Sequence, residues 1–112
     1  EDHPSGNHVL MTNGMMDSTT HFTSMNAITI ASDAAPIAPA GWDWEPYGVD
    51  QRFEEPLPIA GNRTALDGSA LTIVHYMDAD QGHFTVYRRP EIARMAADFW
   101  LTSLEGVPQA DL

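Results

Sequence analysis

The sequence contains no cysteine, which excludes disulfides, thiolate metal sites and a cysteine nucleophile. Lysine is also absent, so five arginines stand against sixteen acidic residues and the formal net charge is −11. No basic patch exists to release counterions from a polyanion, and we therefore expect no binding to nucleic acid. This composition suits a protein that acts on neutral substrates or binds cations. Absence of cysteine leaves the cellular compartment open.

Long apolar runs are missing too, and none approaches the roughly 20 residues of a membrane span. The start "EDHPSGNH" lacks a basic segment and an initiator Met, so we expect no signal peptide and a mature, cleaved or excised chain. The 112 residues, 43% of them hydrophobic and 9% aromatic, are enough for the core of one domain. Disorder is therefore not expected.

The first half of the chain predicts a strand, a turn, a helix and a loop. Residues 8–13 form an apolar run closed by Gly14, which is typical of a buried strand. A helix is predicted over residues 20–31, and its candidate N-caps are Ser18, Thr19 and Thr20. Its expected apolar side comprises Phe22, Met25, Ile28 and Ala31. Five prolines in residues 33–58 predict an ordered loop, packed by Trp42, Trp44 and Tyr47 or using them to line an apolar cleft.

The second half predicts a strand and a long helix. Residues 59–77 are interpreted as an extended segment, a turn and a strong strand over 70–77. Residues 90–105 are expected to form a helix, because Pro90 suits its first position and Gly106 its end. Its expected apolar stripe comprises Ile92, Met95, Ala96, Phe99, Trp100 and Leu104. The order strand–helix–loop–strand–helix predicts a single α/β unit with a parallel sheet.

Two chemically active side chains follow predicted strands. Asp17 comes after the first strand and His83 after the strand over 70–77, and each precedes a helix. Because the carboxyl ends of parallel strands lie at one edge of a sheet, an Asp–His pair can form there. In such a pair the carboxylate fixes the imidazole tautomer and stabilises its protonated form. The plainer alternatives are that His83 is an incidental loop histidine and that Asp17 only caps a helix.

A metal site is the other alternative for this loop. "DADQG" at 78–82 is similar to the start of a calcium loop, with Asp78 and Asp80 as oxygen ligands. Arg89 occupies the twelfth position where an EF-hand needs glutamate, so an EF-hand is excluded and only a looser calcium site remains open. A zinc site from His75, His83 and an aspartate is less favoured, because no H-x-x-x-H helix pair exists.

The stretches "HVLMTNGMMDSTTHFTSMNAITIA" and "LTIVHYMDADQGHFTVYRRPEIARMAADFWLTSL" together resemble the C-terminal third of an α/β-hydrolase. The resemblance implies a partial α/β-hydrolase-type sheet, with Gly14 and Asp17 in the turn of the triad acid and Gly82 and His83 in the histidine loop. The order acid-then-histidine is also that of the family. Asp78 and Asp80 are spare acids, but they share the loop of His83, whereas family acids come from a different strand.

One departure from the family is severe, because the G-x-S-x-G nucleophile elbow is missing. The resemblance therefore implies a catalytic segment of an esterase- or lipase-type serine hydrolase that is inactive alone. Its serine would come from an N-terminal hydrolase segment or a second chain, and its substrate would be a small ester or a lipid. Self-association is the alternative way to complete the sheet. The rival hypothesis is a non-enzymatic α/β binding module, with calcium bound through the 78–83 loop.

Overall fold

The computed structural model describes residues 6–38 and 54–112. The helices are α1 (Phe22–Ala31), α2 (Thr85–Arg88) and α3 (Pro90–Ser103). The strands are β1 (Val9–Gly14), β2 (Ala35–Ala38), β3 (Glu55–Pro56), β4 (Ile59–Ala60), β5 (Arg63–Thr64), β6 (Ala70–Leu71), β7 (Ile73–Asp78) and β8 (Gln109–Ala110). The chain in these ranges has a mixed α/β fold, as the order of its predicted elements indicated.

A four-stranded parallel sheet with the order β1-β7-β2-β3 is the centre of the fold. Two antiparallel pairs, β4 with β8 and β5 with β6, lie apart from it. The register of β1 against β7 runs from Val9 opposite Ile73 to Gly14 opposite Asp78. Both strands therefore end at the same level of the same sheet edge. The loops that carry Asp17 and His83 start there, side by side.

The hydrophobic core joins this sheet to α3. Val74 of β7 is fully buried, and it belongs to one cluster with Ile92, Met95 and Phe99 of α3. The predicted first position of Pro90 in this helix is confirmed. The predicted apolar stripe was too wide, because Trp100 is 72% exposed and no described element covers it. No helix in the described ranges is long and apolar enough to cross a membrane.

The segment predicted as one loop over 33–58 begins with a strand. β2 pairs with β7 through Ala35 and Pro36, and Pro36 is buried although it lacks a backbone N–H. Proline is tolerated in a ladder where its missing donor would not be used, so a proline count alone underestimated this strand. The loop prediction for Trp42, Trp44 and Tyr47 lies outside the described residues.

Helix α1 starts later and faces differently than its sequence pattern predicted. Its N-cap is His21, whose ring accepts a hydrogen bond from the backbone N–H of Thr23. The buried side is formed by Met25, Asn26 and Thr29, whereas Ile28 is 53% exposed. Ser18, Thr19 and Thr20 precede this cap and belong to the turn around Asp17. Asn26 and Thr29 are polar but buried, so the spacing of apolar residues alone did not identify the buried side of α1.

The strong strand predicted over 70–77 is divided in two at Thr72. The Thr72 hydroxyl accepts a hydrogen bond from Gly61 N–H at 2.9 Å and donates to the carbonyl of Pro108 at 2.6 Å. Its backbone N–H donates to Nδ1 of His8 at 3.1 Å. Because its N–H is bound by a side chain instead of a strand, β6 turns away to pair with β5 while β7 enters the parallel sheet.

Candidate functional site

Asp17 lies in a tight turn directly after β1. Its backbone N–H donates to the carbonyl of Gly14 at 3.2 Å. Its Oδ1 atom accepts hydrogen bonds from the backbone N–H groups of Thr19 at 2.7 Å and Thr20 at 3.0 Å. The side chain is 4% exposed, so nearly all of the carboxylate is enclosed by the protein. These bonds fix the orientation of the carboxylate and leave Oδ2 directed to another partner.

That partner is His83, in the loop between β7 and α2. Its Nδ1 atom lies 2.8 Å from Oδ2 of Asp17. Because an ionised carboxylate can only accept, Nδ1 donates, and the neutral ring therefore has its free lone pair on Nε2. The His83 side chain is 49% exposed, and among the described residues its only hydrogen bond is the one to Asp17. A half-buried imidazole oriented in this way can accept a proton at Nε2.

The charge state of Asp17 is set by opposing effects. Burial of the carboxyl group raises its pKa, whereas hydrogen bonds from Thr20 N–H, from His83 and from Thr19 N–H together lower it. The net result is a pKa of Asp17 below its ordinary value. Asp17 is therefore ionised at neutral pH, which is the state needed to orient a histidine and to stabilise its protonated form.

The two loops of the site touch each other through their backbones. Met15 N–H donates to the Asp78 carbonyl at 2.9 Å, and Met16 N–H donates to the Gln81 carbonyl at 2.8 Å. A β-carbon on Gly14 would overlap the Gln81 carbonyl group, and one on Gly82 would lie 3.0 Å from the Met16 carbonyl oxygen. Both glycines are thus needed for the loops to approach closely enough for the Asp17–His83 contact.

Asp78 and Arg89 hold the histidine loop at its two ends. Nε of Arg89 donates to Oδ2 of Asp78 at 2.9 Å, while Oδ1 of Asp78 accepts from the Asp80 N–H at 2.9 Å. The hydrogen bond to Asp78 raises the pKa of Arg89 above its ordinary value. Arg89 is also the N-cap residue of α3. No sequence pattern predicted this pair, because arginine–aspartate contacts at this separation have no spacing rule.

The residues named as possible metal ligands, Asp78 and Asp80 for calcium and His75 for zinc, lie in different surroundings. Asp78 has both carboxylate oxygens engaged, one by Arg89 and one within its own turn, and the Asp80 side chain is 84% exposed. Within residues 6–38 and 54–112 no group of three His, Asp or Glu side chains could hold a metal ion. His75, the zinc alternative, is fully buried inside β7, away from the loop of His83.

A cavity of about 420 Å³ lies beside the Asp17–His83 pair. The residues that line it are Met16, Ser18, Thr19, Asp80, Gln81, Gly82, His83, Phe84 and Arg88. The size of this cavity is typical of small-molecule sites. The ring of Phe84 meets that of His83 edge to face, with centroids 5.0 Å apart. Phe84 and Arg88 were not singled out from the sequence, because both sit in a short helical turn without a motif.

The structure therefore brings Asp17 and His83 into contact and separates them from Asp78 and His75. No known family model matches this chain, and neither a curated protein nor a solved structure is similar to it. A proposal for the function of this chain therefore rests on the geometry of the site.

Proposed function

We propose that this chain is the C-terminal catalytic segment of a serine hydrolase that cleaves esters or lipids. The observation that carries the proposal is the 2.8 Å hydrogen bond between Asp17 Oδ2 and His83 Nδ1, made by loops that leave adjacent parallel strands. Asp17 is the triad acid and orients the ring. His83 is the general base, and it supplies Nε2 to a serine hydroxyl from another segment or chain.

In this reaction His83 takes the proton of the serine hydroxyl as the serine oxygen attacks the ester carbonyl carbon. The C–O bond to the alcohol then breaks, and His83 gives its proton to the leaving alcohol. A water molecule, deprotonated by His83 in the same way, then attacks the acyl carbon. The C–O bond to the serine breaks, the carboxylic acid leaves, and His83 returns the proton to the serine oxygen. Asp17 stabilises the protonated ring in both steps and remains ionised, consistent with its lowered pKa.

The need for a partner has support in the sheet. Among the described strands β1 has a neighbour on one side only, and it contains six residues without proline or charge. The opposite edge strand, β3, is only Glu55–Pro56, a short strand with a charge and a proline that discourage further pairing. A cleft of about 490 Å³ beside β1 is lined by Leu10, Phe99 and the exposed Trp100. We propose that the segment with the serine adds to this edge.

The test is labelling with a fluorophosphonate, which reacts only with an activated serine. The chain is isolated in native form, and its preparation is searched for a second polypeptide that carries G-x-S-x-G. We expect that this polypeptide is labelled and that His83→Ala reduces both labelling and ester hydrolysis by about 10³-fold or more. His21→Asn is the matched control and should leave both unchanged, because it removes an exposed imidazole that does not line the cavity and keeps a side chain that can cap α1.

A monomeric, folded 12.3 kDa chain without a labelled companion would contradict the proposal. Full labelling in the presence of His83→Ala would contradict it as well, because the serine would then be activated by another base.

A further inference from the structure

Arg88 is the cation that lines the cavity next to His83. It is the last residue of α2, and its side chain is exposed. Within the described ranges its guanidinium makes no hydrogen bond and no ion pair. Arg89 and Arg63 differ in this respect, because Arg89 contacts Asp78 and Arg63 contacts Asp33 and Glu55. The donors of Arg88 are therefore available to a molecule bound in the cavity.

The other charged group at the cavity wall does not neutralise Arg88. The Asp80 side chain is 84% exposed, and its Oδ2 atom lies 3.9 Å from Nη2 of Arg89. Asp17 is enclosed and already bound to His83 and to backbone N–H groups. Arg88 is thus the positive group that can meet a ligand in this cavity without first breaking a contact.

An apolar wall stands beside this charge. Phe84 is 53% exposed and contacts the His83 ring, and Met16 is 71% exposed on the other loop. Both side chains line the same cavity as Arg88. The cavity therefore offers an apolar surface, a basic nitrogen and a guanidinium within about 420 Å³.

We propose that this cavity binds esters that carry a carboxylate, with the carboxylate on Arg88 and the apolar part against Phe84. The inference rests on the proposed function, since it names the substrate class of that site. A planar guanidinium forms paired hydrogen bonds with a carboxylate and discriminates against neutral groups. The charge of −11 does not prevent this, because carboxylates beyond about 8 Å are largely screened at physiological salt whereas a direct contact is not.

The experiment is a binding titration that needs no serine. The ¹⁵N-labelled chain is titrated with 3-phenylpropanoate and, separately, with the neutral 3-phenylpropanamide. We expect the carboxylate to shift the signals of the His83 loop and of Arg88 Nε, and to bind about tenfold more tightly than the amide. Arg88→Gln should remove this preference, while Arg88→Lys should retain part of it.

Arg94→Gln is the matched control, because it removes the same charge from an exposed position of α3 that does not line the cavity. It should leave the preference intact. Equal binding of the two compounds, or a preference that survives Arg88→Gln, would overturn the proposal. Failure of the hydrolase proposal is read separately, from fluorophosphonate labelling, so the two outcomes are distinguishable.

Discussion

Asn13 on β1 and His75 on β7 are joined by a hydrogen bond, with Asn13 Nδ2 2.8 Å from His75 Nε2. Since the amide nitrogen donates, Nε2 accepts and the ring proton is on Nδ1, which donates to the Thr29 hydroxyl. That hydroxyl donates in turn to the Met25 carbonyl at 2.9 Å. This chain of bonds links two strands and α1, and it requires a neutral His75. The residue that the sequence suggested as a zinc ligand thus has a different set of contacts.

Because the folded chain holds His75 in its neutral form, we expect the fold to lose stability in mild acid. Burial lowers the pKa of His75 from 6.5 to about 4. Below about pH 6.5 the unfolded chain binds a proton at His75 that the folded chain does not bind. The free energy of unfolding therefore falls as the pH is lowered from about 6.5 to about 4, and it keeps its full value above pH 6.5. The loss should approach roughly 3 kcal/mol, measured by urea unfolding across this range.

Two variants check the source of this pH dependence. His75→Gln should lower stability at neutral pH but flatten its dependence over the same window, because glutamine takes up no proton. His21→Gln, at an exposed helix cap, should retain the slope of the wild type. An unchanged slope in His75→Gln would assign the effect to another group.

The lowered pKa of Asp17 leads us to expect a second loss of stability at lower pH. Its folded pKa is lowered, so its contribution to stability is present above the unfolded value near 3.8 and is lost as pH falls through the folded pKa. Asp17→Asn should lower the melting temperature at neutral pH, and the difference from wild type should shrink in strong acid. Asp80→Asn removes the same charge from an exposed side chain and should have little effect. Equal effects of the two variants would show that Asp17 has no special role in stability.

Replacement of Gly14 tests the approach of the two loops. A β-carbon there would overlap backbone atoms of Gln81, which cannot rotate away as a side chain could. We expect Gly14→Ala to lower the melting temperature and to displace the NMR signal of the His83 Nδ1 proton. Gly82→Ala meets the Met16 carbonyl oxygen at 3.0 Å and should have a smaller effect. The reverse order of effects would contradict this packing.

We expect that replacement of Asn26, a buried residue of α1, stabilises the core. It is 1% exposed, and neither its Oδ1 nor its Nδ2 atom has a hydrogen-bond partner within the described part of the chain. A buried amide without partners costs about 1–3 kcal/mol, so Asn26→Leu should raise stability by about 1 kcal/mol in urea unfolding. Asn62→Leu should do the opposite, because the Asn62 amide binds the backbone N–H and carbonyl of Ile73 at 2.9 and 3.2 Å. A loss of stability in Asn26→Leu would mean that the amide has a partner after all.

The calcium alternative is tested through Asp78. Since its carboxylate is bound by Arg89, we expect calcium to leave the melting temperature unchanged, and Asp78→Asn to lower it equally with and without calcium. A calcium-dependent rise that Asp78→Asn abolishes would favour the binding module over the hydrolase.

Local patterns in the sequence were sufficient for part of this protein. The apolar runs around β1 and β7 and the proline at the start of α3 determined those elements, because burial and helix initiation depend on neighbouring residues. The positions of Asp17 and His83 after two parallel strands also followed from order along the chain. Parallel strands carry their carboxyl ends to one edge, so the contact between the two residues could be expected from the sequence.

Only the tertiary structure decided the remainder. Pro36 lies in a strand opposite His75 of β7 although it lacks a backbone N–H, and Thr72 divides a continuous run because distant groups bind it. The pairing of Asp78 with Arg89 and the position of Arg88 beside His83 depend on where loops meet in space. Such contacts join residues through space, whereas spacing rules describe only neighbours along the chain.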